Sequence, residues 1–255
     1  MGKWKNVFIL AMILLFLFGL SLMWYPYLYG EYTKDRITEK AEDFLGQPDL
    51  PVLTRPDRNN TVTPTVPSVL EIHIKERAYA QLWKDMVSYN ESLYRDAQNG
   101  LSSAEAYREP SFILADYGLE NEAIGVLTIP VLSFEMPIYL GATEQHLLAG
   151  VAHLSQTSLP IGGSNTNTVI AGHRGWYGAD YLRYIENLKI GDEVIVTNLW
   201  EELIYRVCEI KVIEPSQVEA ILIQPNRELL TLLTCHPYAT GGRQRYLVIC
   251  ERTQD

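Results

Sequence analysis

Three cysteines in 255 residues are too few to staple a fold with disulfides. No CxxC and no HExxH occurs, so no metal site is expected. G-x-S-x-G is missing as well, and so is a glycine-rich loop able to cradle phosphate, so no cofactor is expected. Positive charge is scarce. Lys and Arg total 21 against 31 Asp and Glu, a formal net charge of −10, which excludes nucleic-acid binding as the main function. There is no internal repeat, and no low-complexity tract apart from one proline-rich run.

What the chain does have begins at its N-terminus. Residues 7–29 carry no charge, long enough to span a bilayer as a helix. Lys3 and Lys5 precede them and keep that end cytoplasmic, while Trp24, Tyr25, Tyr27 and Tyr29 suit the outer interface. No convincing small-x-small cleavage site stands between Gly19 and Gly30, so residues 1–30 are expected to be an uncleaved, single-pass anchor with the rest of the chain extracellular. Outside the cytoplasm, an odd number of cysteines leaves at least one thiol unpaired within the chain.

Residues 31–68 form a membrane-proximal unit: a charged, helical stretch over 31–46, then an extended linker with Pro48, Pro51, Pro56, Pro64 and Pro67. Ser68 and Glu71 make a capping box. Behind it Tyr79, Leu82, Met86 and Leu93 recur at helical spacing, so an amphipathic helix is expected over 69–97, within a segment 69–115 that packs on the C-terminal domain. From residue 116 to 255 the pattern turns to short apolar strands: IGVLTIP, PIYLG, NTVIA, KIGDEVIVTN, LIYRVCEIKVIEP, LLTLLTC and RYLVICER. Stretches 143–154 and 180–188 look helical. Many strands and few helices imply a β-barrel or sandwich. The pairs Gly162-Gly163 and Gly241-Gly242 read as turns.

The candidate chemistry lies near Cys235. It sits beside His236, which invites pairing them as nucleophile and base. Strand alternation argues otherwise: TLLTC reads as a buried strand, so residues 235 and 236 face opposite ways. Cys235 is then either a small core hydrophobe or a nucleophile whose partner comes from elsewhere. Of the other histidines, His73 lies on the exposed-looking helix, and His146 and His153 on the stretch read as helix. His173 ends a buried-looking strand in AGHRG, at a strand end of the kind where sites are built. Cys208 and Cys250 fall in strand interiors and read as buried thiols.

Taken in order, these segments resemble the sortases, cell-surface cysteine transpeptidases. TLLTC matches their TLxTC signature. SLPIGGSNTNTVIAGHRG, IGVLTIPVLSFEMPIYLG and TCHPY are similar to stretches of class C, the pilin-polymerising branch. The resemblance covers residues 124–252 well and the N-terminal region loosely. It implies a mainly β fold, a closed eight-stranded barrel with short helices. It also implies Cys235 as nucleophile, His173 as catalytic histidine and Arg245 as catalytic arginine, with Arg243 its rival two residues earlier. The implied substrate is a pilin or other surface protein with an LPXTG-like sorting signal. The implied acceptor is an amine, a pilin lysine or, in the wall-anchoring alternative, a cell-wall precursor. A catalytically silent peptide-binding module is the remaining reading. Two departures stand out. Class C enzymes typically carry a lid on an Asp-Pro-aromatic motif, and no Asp-Pro dipeptide occurs here; Glu109-Pro110-Ser111-Phe112 is a poor match. No second apolar stretch comes after the last strand. An open site and a single anchor are therefore expected.

Overall fold

The computed structural model describes residues 2–47, 50, 69–102, 107–119, 122–175 and 179–253. The linker prolines, Ser68 of the expected capping box and the side chains of Glu71 and His73 lie outside this description. The strands are β1 (Ala123–Ile129), β2 (Phe134–Leu140), β3 (Val151–His153), β4 (Thr166–Ala171), β5 (Glu193–Asn198), β6 (Glu202–Ile213), β7 (Glu228–His236) and β8 (Gln244–Arg252). They close into a barrel in the order β1-β2-β3-β4-β7-β8-β6-β5, with β5 returning to β1. Closure pairs every strand on both sides and leaves no open edge. The β2–β3 and β4–β7 neighbours are parallel and the others antiparallel.

The larger core cluster takes a residue from every strand, among them Val126, Ile138, Val151, Ile170, Val196, Tyr205, Leu230 and Val248, and so marks the barrel interior. A smaller cluster lies on the outer face of β4, β7 and β8. It joins Val169, Ala171 and Leu247 to Leu101, Leu154 and Ile221, with Tyr107 and Leu233 at its margin. This second apolar layer explains why β4 is buried along its whole length.

Two long helices precede the barrel. Helix α1 runs from Gly2 to Leu45, without a break between the apolar stretch and the charged one. It is the one helix among the described residues long and apolar enough to cross a membrane. Its apolar half is exposed, whereas Ile37, Ala41 and Phe44 are buried. Helix α2 (Val69–Arg95) is kinked at Tyr79 and buries Leu82, Met86 and Leu93, the spacing read from the sequence.

Two expected helices are corrected. Over 143–154, helix α3 occupies only Glu144–Ala149, capped by the Thr143 side chain, and Gly150 ends it. The chain then becomes β3, which pairs with β2 and β4 and supplies the eighth strand. His153 therefore lies on a strand rather than a helix. Over 180–188 there is a single 3-10 turn, Ile185–Asn187. Tyr181, Leu182 and Ile185 are all buried there by tertiary packing, which reproduces a helix-like apolar spacing without a helix.

His153 is fully buried, and its Nε2 faces the Thr157 and Ser158 carbonyls at 3.2 and 3.0 Å. Burial lowers its pKa from 6.5 to about 4 against those two hydrogen bonds. The native state thus holds His153 neutral while the unfolded chain protonates near pH 6.5. Its contribution is complete above that pH and is lost as pH falls towards 4, by about 3 kcal/mol. Thermal melts from pH 7 to pH 4 should show Tm falling, with a shallower fall in His153→Gln.

Candidate active site at the ends of β4 and β7

The parallel ladder between β4 and β7 sets the site. Ala171 pairs with Leu233, and beyond that pair the Gly172 N–H donates to the Leu233 carbonyl at 3.1 Å. Two further steps along each chain bring His173 level with Cys235, on strands about 4.8 Å apart. A buried strand must satisfy its polar side chains, and both threonines of TLLTC do so on β4. Thr231 donates to Asn167 Oδ1 at 2.9 Å, and Thr234 donates to the Gly172 carbonyl at 2.8 Å. A Cβ on Gly172 would come within 2.9 Å of Leu182, so this close approach favours glycine.

Alternation then sorts the side chains into two ranks. Cys235 has the parity of Leu233, His173 that of Ala171, and Arg245, paired opposite Cys235, that of Leu247. All three belong to the outer face. Cys235 is exposed and His173 half-buried. Burial lowers the His173 pKa, opposed by the nearby Glu144 carboxylate. The His173 ring meets Tyr181 edge-on at 5.7 Å. The Arg245 guanidinium is held by the Gly242 and Gln244 carbonyls at 2.6 and 3.0 Å. Gly242 has φ +68, and a Cβ there would stand 2.8 Å from Cys235 Sγ and 3.6 Å from Arg245 Nη1. The turn thus needs glycine both for its backbone and to let Cys235 and Arg245 share one space. Arg243 is an exposed turn residue outside β8.

The inner rank joins His236, which alternation already set apart from Cys235, to residues that the sequence reading missed. His236 shares the inner parity with Tyr246, 5.6 Å away ring to ring. Arg174, with a side chain only 4% exposed, donates to His236 Nδ1 at 2.8 Å and to the Cys235 carbonyl at 3.3 Å. It also pairs with Glu186 and lies over the Tyr246 ring at 5.5 Å. The alternation that separates His236 from Cys235 separates Arg174 from His173, so the His173-Arg174 dipeptide held the signal. Glu186, 46% exposed, reaches His236 from the 3-10 turn, which no sequence pattern marks.

A search of protein families matches residues 127–253 to the sortase domain. Among solved structures, sortase C1 of GBS pilus island 1 is 31% identical with a TM-score of 0.60, covering 74% of this chain and 92% of its own. Sortase C from Clostridium perfringens is 30% identical with a TM-score of 0.59, covering 73% and 96%. The chain belongs to the sortase family. A curated relative, sortase D of Bacillus subtilis, is 29% identical over 134 residues, 52% of this chain and 65% of that protein. The chain thus spans less than two thirds of that relative's length.

Elsewhere the sortase domain offers little competing chemistry. No group of His, Cys, Asp and Glu among the described residues could hold a metal ion. A cleft of about 480 Å³ lies between α2 and the loop 161–165, lined by Trp83, Asn90, Tyr94 and Thr166. Thr166 begins β4 and His173 lies past its end, so that cleft sits at the other end of the barrel. Cys208, half-buried, touches the Ile249 carbonyl and Arg227, and burial raises its pKa despite that arginine. Cys250 is wholly buried, and burial pushes its thiol further up. Phe112, the nearest thing to a lid aromatic, packs on Tyr89 and Tyr117 at 5.7 and 6.2 Å.

Two outcomes are expected. A maleimide should label Cys235 first, Cys208 more slowly, and Cys250 only on unfolding, as read by mass spectrometry of the time course. Arg174→Met should lower Tm more than Glu186→Gln. The first substitution unpairs three acceptors around a buried position, and the second alters one half-exposed partner.

Proposed function

We propose that this protein is a membrane-anchored cysteine transpeptidase that cleaves an LPXTG-like sorting signal and joins the acyl product to a pilin lysine. The observation that carries the reading is the outer-face rank: an exposed cysteine, a half-buried histidine and a pinned arginine, brought together by two strand registers. Class C sortases among the solved neighbours support the pilin acceptor. The apolar helix at the N-terminus supports the anchor, with Lys3 and Lys5 on its cytoplasmic side. In this reading residues 1–30 hold the membrane, 31–68 lead away from it, 69–115 pack on the barrel and 116–255 catalyse.

The proposed chemistry has two halves. An amide carbonyl is a poor electrophile, so a covalent intermediate divides the transfer into easier steps. His173, kept neutral by burial, can accept the Cys235 proton. The thiolate then attacks the scissile Thr–Gly carbonyl carbon and forms the C–S bond. Arg245 has N–H donors beyond the two bonds it makes to the turn, and these face the developing oxyanion or the substrate backbone. The tetrahedral adduct collapses, the C–N bond breaks, and imidazolium His173 gives its proton to the leaving glycine amine. The acceptor amine next attacks the thioester carbonyl and surrenders a proton to His173. Expulsion of Cys235 completes the new amide as His173 returns that proton to the sulfur. The depressed His173 pKa favours both proton donations, because an imidazolium held away from water is a stronger acid.

A peptide with a sorting signal, a lysine-bearing pilin and a cell-wall-type amine, offered in parallel, test the reading. A ladder of linked pilins supports polymerisation, whereas single addition to the wall-type amine alone would make it a wall-anchoring enzyme. Cys235→Ala should form no thioester, and His173→Ala should lose at least about 10²-fold in rate. Arg245→Ala should lose far more than Arg243→Ala, with Arg245→Lys also impaired because lysine lacks the planar fork. His236→Ala should keep most activity. An active Cys235→Ala enzyme would end the proposal.

A further inference from the structure

Helix α1 fixes the height of the site above the bilayer. The uncharged stretch 7–29 climbs about 35 Å at 1.5 Å per residue, which places Trp24 to Tyr29 in the interfacial layer. The barrel grips the helix directly above that point. Gly30, Ile37, Ala41 and Phe44 are all buried. Ile37 shares a buried cluster with Ala179 and Tyr181, and Met136 packs against that cluster. Tyr29 lies within electrostatic range of Tyr181. The Tyr181 ring in turn lies 5.7 Å from His173. Tyr181 therefore links His173 to the buried face of α1.

Strand directions agree. Met136 packs against the cluster that holds Ile37, and three residues further along both elements the Tyr139 ring of β2 lies 5.6 Å from Lys40 Nζ of α1. Strand β2 therefore rises away from the membrane. Strand β3 is parallel to β2, β4 is antiparallel to β3, and β7 is parallel to β4. Strands β4 and β7 descend, and their C-terminal ends, with His173 and Cys235, point towards the bilayer.

The side chains at that end suit an interface. Tyr184 and Tyr238 are 48% and 44% exposed. Arg183 lies over both rings, at 5.5 and 4.9 Å, and two residues from Tyr181. Aromatic rings with polar tips, beside an arginine, are the composition of a membrane-water boundary. We infer that the catalytic end of the barrel rests on the bilayer surface through Arg183, Tyr184 and Tyr238. The inference rests on α1 being the membrane anchor. A lipid surface is the occupant because α1 sets this edge at headgroup height. Ring insertion rather than charge carries the contact, since the chain is net −10 and Arg183 already faces Asp180 at 3.4 Å. It therefore resists salt.

The test uses the full-length chain in phosphatidylcholine nanodiscs. A fluorophore is attached through Tyr184→Cys, Tyr238→Cys or Asn226→Cys, each in a background of Cys235→Ala and Cys208→Ala. Asn226 is exposed at the far end of β7. Lipids with a nitroxide on the headgroup should quench residues 184 and 238 several-fold more than 226, with no loss at high salt. Equal quenching at all three positions, or quenching abolished by salt, would overturn the inference. Alkaline carbonate extraction separates the two readings. A chain that washes off fails both, whereas a retained chain with 184 and 238 unquenched refutes only the surface contact.

Discussion

The parallel β4–β7 ladder is the constraint on which the site depends. Parallel strands in one sheet need a long crossover, here residues 172–227, so sequence proximity could not bring His173 to Cys235. What brings them level is register, and register is specified by buried polar pairs that tolerate no slip. Moving β7 by one residue would tear Thr231 from Asn167 and Thr234 from the Gly172 carbonyl. It would also turn Cys235 inward and His236 outward. The two threonines in an apolar strand are thus what fixes the position and face of Cys235.

Both strand ends carry a dipeptide whose members face opposite ways. His173 and Cys235 lie on the outer face, where a substrate can reach. Arg174 and His236 lie on the inner side and bond to each other at 2.8 Å. Glu186 Oε1 stands 3.2 Å from the same His236 Nδ1, so the three side chains form one cluster. Arg174 also reaches the Cys235 carbonyl, so the backbone that carries the thiol is tied to the residue next after His173. Rigid support from one face and open access on the other is what a positioned nucleophile requires. The tempting reading of Cys235 and His236 as partners therefore gives way to a division of labour set by alternation.

Much of this was legible because strands announce themselves by composition. Seven of the eight strands correspond to apolar runs read from the sequence, and TLLTC and AGHRG marked both strand ends. The eighth, Val151–His153, was hidden because it comes straight after a one-turn helix with no separate run of its own. Three residues suffice there only because β2 and β4 flank it. The stretch 180–188 misled for a related reason: Tyr181, Leu182 and Ile185 are buried by the loop's packing, and apolar spacing reports burial before it reports conformation. Glu186 and Glu144 were invisible because their bearing on the site comes from folded distance alone. That α1 would continue unbroken past residue 30 was also unread, since a change from apolar to charged surface alters a helix's solvent but not its backbone.

The segment between α2 and β1 raises the question of how the site is guarded. Leu101 and Tyr107 join the outer apolar cluster with Leu233 and Leu247, the residues two steps before Cys235 and two after Arg245. Phe112 turns away to α2. These described residues therefore cover the strands leading to Cys235, while Cys235 itself is exposed. A lid over the thiol would tax substrate binding by the fraction of enzyme that is closed. Cover that stops short of the thiol carries no such tax, yet it still shields apolar wall that would otherwise face water. The contribution of Leu101 and Tyr107 is thus to the packing of β4, β7 and β8.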